Sequence, residues 1–205
     1  MAELPRCRPA TWKDVDAWAD TVAAAVRASG AVPETIVGLT RGGWVPSRLL
    51  ADRLGVHRMV SLRAQHWGVT ATPTGAAQVT EGLSGPVSGQ RVLVADDITD
   101  TGESLALAVA QVEAQQPARV ESATFLHIEQ SKYRPTYTGE VIPREGWVWI
   151  VFPWNYWEDL VQLAQRAAEQ GGAGVGAIRR TLKERCGLDV PVADLEQVAR
   201  WAKGD

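Results

Sequence analysis

VLVADDITDTGESL, residues Val92–Leu105, joins an apolar run to a helix start through a turn dense in acids and hydroxyls. Arg91–Asp96 is the clearest buried strand in the chain, since its apolar residues are continuous rather than alternating. The strand ends in two adjacent carboxylates, Asp96 and Asp97, and Asp100-Thr101-Gly102-Glu103-Ser104 then opens a helix expected over Ser104–Gln115. A strand–turn–helix junction aims backbone N–H groups and the positive end of a helix dipole at one point. Thr101 and Ser104 add hydroxyl donors, and Gly102 lets the backbone approach a bound group closely. The pattern predicts a cradle for one phosphate. It is not a Walker loop, because GxxxxGK[ST] occurs nowhere in the chain. The paired acids at the strand's carboxyl end, where open α/β sheets bind ligands, suit a sugar diol and a hydrated Mg²⁺.

Elements on either side alternate. Thr11 with Asp14 resembles a capping box with a shorter acid, and apolar residues at helical spacing predict a helix up to Ala28, stopped by Gly30. Thr35–Leu39 (TIVGL) reads as a short buried strand, TRGGW as a tight turn, and Pro46 as a first-turn proline in a helix ending at Leu54. Arg58–Arg63, Val120–His127 and Val148–Phe152 supply further strands. Strands alternating with helices predict an α/β fold with a doubly wound, mainly parallel sheet. Residues 64–89 are rich in Gly, Thr, Ala and Ser and show no sustained period, the composition of a flexible hood over a site. From Trp157 the pattern becomes helix, glycine linker (Gly171–Gly176), helix, helix. The expected organisation is therefore a domain over residues 1–160 with a helical extension over 161–205.

The bulk numbers bound the function classes. A chain of 205 residues, 45% hydrophobic and 22% charged, buries roughly 70% of its unfolded surface and supports a full core. The net charge of −3 lacks the basic surplus of a nucleic-acid binder. The basic residues Arg179, Arg180, Lys183 and Arg185, inside Ala177–Lys203, are the one cluster that could contact nucleic acid or protein. Cys7 and Cys186, near opposite ends, form no CxxC pair and no metal-ligand spacing, which predicts two free thiols in a reducing compartment. The opening MAELPRCRPA carries no apolar signal segment, and the apolar run WVWIVFPW (Trp147–Trp154) is far short of a membrane span. A soluble cytoplasmic protein without membrane or nucleic-acid partners is expected.

Val92–Ser104 is similar to the phosphoribosyl-pyrophosphate signature of type I phosphoribosyltransferases. Val37–Leu54 (VGLTRGGWVPSRLLADRL) resembles the pyrophosphate loop and following helix of bacterial xanthine-guanine phosphoribosyltransferases, and WVWIVFPW resembles the base-binding strand of those enzymes and of archaeal relatives. The likeness spans about residues 10–160. It implies that ribose 5-phosphate is moved from phosphoribosyl pyrophosphate to a nitrogenous base, a 6-oxopurine above all, with Mg²⁺ (Mn²⁺ as substitute), by a homo-oligomer, dimer or tetramer.

Carried over residue by residue, the resemblance gives Asp96 and Asp97 the ribose hydroxyls and the metal shell. It makes Asp100 the general base or acid, and gives Thr101, Gly102, Glu103 and Ser104 the 5′-phosphate. Arg41, Gly42 and Gly43 would hold pyrophosphate, with a cis peptide at Thr40–Arg41. Lys132 would donate to the purine 6-oxygen, while Trp149 would stack on the ring and Ile150 line the base site. Asn155 stands where relatives have Asp or Glu after Pro-Trp, with Glu158 and Asp159 a turn later. Two other readings stay open: a non-catalytic sensor of phosphoribosyl pyrophosphate, and a phosphoribosyltransferase for another heterocycle.

Overall fold

A computed structural model describes residues 3–66 and 77–202. The chain divides into two compact units, Lys13–Trp147 and the paired segments Met1–Trp12 and Val148–Asp205. The expected boundary at residue 160 instead falls within a helix, Tyr156–Gly171.

The larger unit is built on six strands. They are β2 (Thr35–Leu39), β3 (Arg58–His66), β4 (Ala77–Glu81), β5 (Arg91–Thr99), β6 (Arg119–Ile128) and β7 (Tyr137–Ile142), in spatial order β4-β3-β2-β5-β6-β7. All pairings are parallel except β3 with β4. Helix α1 (Trp12–Ala28) buries Val15, Trp18, Ala19, Val22, Ala23 and Val26, the single stripe that its sequence period predicts. Gly139 has no Cβ because one would come within 2.7 Å of the Trp18 Cβ, and the Trp18 indole N–H donates to Glu140 at 2.9 Å. Helix α2 (Trp44–Leu54) ends at Gly55 in the left-handed conformation. Helix α3 (Glu103–Glu113) packs Leu105, Ala108 and Val112 against Val92 and Val94 of β5 and Val37 and Leu39 of β2.

Two strands in this unit have no counterpart in the sequence reading. Residues 64–89 are not devoid of regular structure: β3 runs on to His66, and β4 pairs with it, Arg63 opposite Glu81. The hood's central residues, 67–76, lie outside the described residues. β7 (YTGEVI) is a half-buried edge strand whose mixed composition hides it.

In the smaller unit β1 (Cys7–Pro9) pairs in parallel with β8 (Trp149–Val151). The strand expected over Val148–Phe152 thus forms, but in a two-stranded sheet of its own. Helices α4 (Tyr156–Gly171), α5 (Val175–Thr181) and α6 (Val192–Trp201) follow, with a π-helical turn at Leu182–Cys186. Leu160, Leu163, Ala164, Ala167, Leu182, Cys186, Leu195 and Val198 form one core with Leu4 and Val151. The connection expected over Gly171–Gly176 is shorter, Gly172–Gly174, because α4 runs to Gly171 and α5 starts at Val175. Arg179 and Lys183 each reach the Asp189 carboxylate at 2.8 Å, which offsets one charge of the four in the basic cluster. Cys7 and Cys186, remote in sequence, meet in this unit. Among the described residues no helix is long and apolar enough to cross a membrane.

Candidate active site

β5 carries its buried valines up to Ala95 and then delivers Asp96, half-buried, and Asp97, buried, to the carboxyl edge of the sheet. Thr99 closes the strand, its hydroxyl 3.1 Å from that of Thr124 on β6. The Asp96 carboxylate accepts a hydrogen bond from the Asp97 N–H at 3.0 Å. Burial, and then the Asp97 charge, push the Asp96 carboxyl well above the ordinary range, with the hydrogen bond acting in opposition. Two carboxylates so placed favour a cation between or beside them.

The loop after β2 comes to the same place. Thr40–Arg41 is a cis peptide, as the resemblance implied. Gly43 lies directly over the β2 and β5 backbone, where a Cβ would collide with the carbonyl oxygens of Ala95 and Leu39. A Cβ on Gly42 would sit 2.5 Å from an Asp97 carboxylate oxygen. Both glycines are thus required by close approach, and they bring the Arg41–Gly43 loop against the acids of β5.

The junction into α3 has the geometry read from its sequence. Gly102 is the residue before the helix and has φ of 85°, a conformation that favours glycine. The first-turn N–H groups of a helix lack intrahelical acceptors, and the Glu103 N–H reaches the Thr101 hydroxyl at 3.4 Å. Ser104 is half-buried in that first turn, and Asp100 and Thr101 are exposed.

A second loop closes on the first. The Lys132 N–H donates to the Thr101 carbonyl at 3.1 Å, and Lys132 Nζ lies 3.7 Å from Glu103. Gly102 packs on Ser131 and Tyr133, and the Tyr133 hydroxyl is 3.2 Å from that of Ser122. Lys132 therefore stands beside the helix start, with 82% of its side chain exposed. The Trp147 indole N–H donates to Asp100 Oδ1 at 3.3 Å. Sequence reasoning missed this contact, together with Ser131 and Tyr133, because each depends on a return of the chain. His127 pairs with Thr99 across β5 and β6; burial first, then the Arg134 charge, lowers its pKa. Trp149 and Ile150 belong to the smaller unit, Trp149 half-buried against its core and Ile150 buried.

The sequence model of the phosphoribosyl transferase domain matches residues 10–164. The chain belongs to this family. Xanthine-guanine phosphoribosyltransferase of Cereibacter sphaeroides is 27% identical over 143 residues, covering 66% of this chain and 80% of that protein. Among solved structures, the purine phosphoribosyltransferase of Pyrococcus horikoshii superposes with a TM-score of 0.61 at 25% identity, covering 72% of this phosphoribosyltransferase and 93% of the archaeal chain. The xanthine-guanine-hypoxanthine enzyme of Helicobacter pylori shares the fold, with a TM-score of 0.57 at 20% identity over 78% of this chain and 99% of its own.

The family works with Mg²⁺ and phosphoribosyl pyrophosphate. Asp96 and Asp97 supply hard oxygen donors, and among the described residues no group of three or more His, Cys, Asp or Glu gathers into a closed cage. Such a pair fits Mg²⁺, which keeps waters and takes further ligands from substrate oxygens.

Proposed function

We propose that this phosphoribosyltransferase transfers the 5-phosphoribosyl group to a ring nitrogen of a 6-oxopurine (hypoxanthine, guanine or xanthine) and releases pyrophosphate. The observation that carries the reading is the close approach of Gly42 to Asp97. It puts a glycine loop suited to pyrophosphate against the acids suited to ribose, in the same unit as the Gly102 cradle.

In this reading the first turn of α3, with Thr101 and Ser104, binds the 5′-phosphate. Asp96 and Asp97 hold the ribose hydroxyls and would hold Mg²⁺, directly or through water. When bound, the ion supplies positive charge to offset that on the departing pyrophosphate. Arg41 adds a fixed cation to the same leaving group, and the Gly42 and Gly43 backbone lets that group lie close. The C1–oxygen bond to pyrophosphate breaks and a C1–nitrogen bond forms. Asp100 takes the proton that the base nitrogen loses, and the Trp147 N–H fixes the orientation of its carboxylate. Lys132 offers a donor with no acceptor capacity, which suits a 6-oxo group and opposes a 6-amino group. Trp149 and Ile150 are proposed base contacts on the resemblance alone.

The test is an ultraviolet-absorbance screen of free bases with phosphoribosyl pyrophosphate and Mg²⁺. Turnover of a 6-oxopurine with adenine inert is expected. Turnover of adenine or a pyrimidine alone would overturn the acceptor assignment. Binding of phosphoribosyl pyrophosphate without turnover of any base would replace the enzyme by a sensor.

A further inference from the structure

Cys7 lies on β1 and Cys186 closes the π-helical turn, so the two come from opposite ends of the chain. In the smaller unit they are neighbours. Cys186 is fully buried in the core, and Cys7 packs against that core half-buried. The next residue confirms the register: a Cβ on Gly187 would lie 4.0 Å from the Cys7 carbonyl and 3.8 Å from the Arg6 guanidinium. The Cys7 thiol donates to the Pro5 carbonyl at 3.5 Å, and the two sulfurs lie close enough to perturb each other's ionisation. These two residues are the chain's whole complement of cysteine.

We infer that Cys7 and Cys186 are a modification site: a dithiol that closes reversibly to a disulfide when met by a peroxide.

Contact is the first requirement, since a disulfide forms only where two β-carbons already face each other at short range. Reactivity is the second. The thiolate is the nucleophile, and cationic neighbours favour it. Contact with the Cys7 thiol is what most lowers the Cys186 pKa, and the Arg6 and Arg185 charges assist against burial. The Cys7 pKa is raised, by its contact with Cys186 first, then by burial and by the Cys186 and Asp159 charges. A thiol whose ionisation is eased beside one whose ionisation is opposed is the arrangement that a stepwise oxidation uses.

The atoms balance as follows. The Cys186 thiolate attacks one peroxide oxygen, the O–O bond breaks, and a sulfenic acid and hydroxide result. The Cys7 sulfur then attacks the sulfenic sulfur. The S–O bond breaks, the Cys7 proton leaves with the departing oxygen as water, and the S–S bond forms. In all, two thiols are oxidised by two electrons and one peroxide is reduced. The oxidant must be small, because Cys186 has no exposed surface. A cavity of about 160 Å³ lined by Pro9, Asp159 and Leu188, among others, gives it room two residues along the chain from either cysteine. A closed bond would tie the N-terminal strand to the C-terminal helices.

The experiment uses the full-length protein, hydrogen peroxide and intact-mass measurement. Peroxide should lower the mass by two hydrogen atoms and leave both cysteines resistant to alkylation after denaturation. Proteolytic fragments bearing Cys7 and Cys186 should be joined, and a dithiol reductant should restore both thiols. Full alkylation of both residues after peroxide, or oxygen added to either sulfur without a joined fragment, overturns the assignment. A Cys7→Ser variant guards the result: without its resolving partner, Cys186 should be oxidised to a sulfenic acid that a dimedone-type reagent, present as the protein is unfolded, traps, and failure to trap it also counts against the proposal.

Discussion

Two loops meet at Gly102, and the sequence specifies them in different ways. The first, Asp96–Ser104, is one continuous stretch in which strand, turn and helix cap each impose the next. The second, Ser131–Tyr133, is shaped locally by a turn, with the Ser131 N–H on the Ile128 carbonyl at 2.9 Å and the Ser131 hydroxyl bonded to the Tyr133 backbone. Its place against the first loop is not local: it rests on the Lys132 N–H bond to the Thr101 carbonyl, the Tyr133–Ser122 hydroxyl contact and packing under Gly102. The first loop's geometry survives as long as β5 and α3 form. The second exists only because β6 ends and the chain turns back before β7. Local coding therefore marks the proposed phosphate and ribose contacts, and tertiary coding marks the proposed acceptor contact at Lys132.

The largest effect expected lies in the first loop. Asp100→Asn keeps the shape and the Trp147 contact but removes the proposed base, so kcat should fall by roughly 10²–10⁴. Affinity for phosphoribosyl pyrophosphate, read by calorimetry, should change little. Wild-type turnover would show that another acid handles the proton.

Gly102→Ala probes the joint between the loops. An L residue at a φ of 85° is strained, and its Cβ would meet Ser131 Oγ at 2.5 Å and the Tyr133 N–H nitrogen at 2.7 Å. The clash is with the second loop rather than with the phosphate space itself. Strain of about 1–3 kcal/mol, relieved in the free protein by opening the cradle, should weaken phosphoribosyl pyrophosphate binding by roughly 5–150-fold. Unchanged affinity in calorimetry would mean that the two loops are independent.

The same contrast explains what could be read in advance. The β5–α3 junction, the Arg41–Gly43 turn and the stripe on α1 were legible because glycine placement and apolar period are local signals. β4 and β7 were not, since a polar edge strand is defined by the strand beside it. Val148–Phe152 was legible as a strand but not as the partner of β1, because pairing is a property of two segments. Trp147 opens the run WVWIVFPW that resembles a base-binding strand, yet it stands after a 3-10 turn with its indole on Asp100. The meeting of Cys7 with Cys186 was beyond any spacing rule, for their proximity depends on both ends of the chain folding into one unit.

Asp96→Asn, whatever it costs turnover through the ribose and metal contacts proposed above, should give a smaller change in stability. The folded carboxyl titrates above its unfolded value, chiefly through burial and then through Asp97. A raised carboxyl pKa means that ionisation disfavours the folded state. The cost is absent below the unfolded pKa of about 3.9 and grows as pH rises from there to the folded pKa. The variant, which retains an acceptor for the Asp97 N–H, should therefore have a higher Tm than wild type at pH 7. The difference should vanish at a pH below about 4. A Tm difference independent of pH, measured by calorimetry in the free protein, would show that Asp96 carries no such burden.

The smallest effect is expected from Lys132→Ala, and its size measures how far the second loop governs the acceptor. A buried donor left unpaired by the wrong base discriminates by about 10⁴ or more. Lys132 is not such a donor in the free protein: its side chain is 82% exposed and its ammonium is 3.7 Å from Glu103. Exposed charge contacts contribute about 0.2–1 kcal/mol, so the ratio of kcat/KM for hypoxanthine over adenine should fall by no more than roughly fivefold. A loss of a hundredfold or more would mean that substrates enclose Lys132 and desolvate it, making the second loop as decisive as the first. Efficient use of adenine by the wild-type protein would remove Lys132 from the acceptor site altogether. The phosphate cradle and Asp100 would keep their roles in that case, because neither depends on what stands at position 6 of the base.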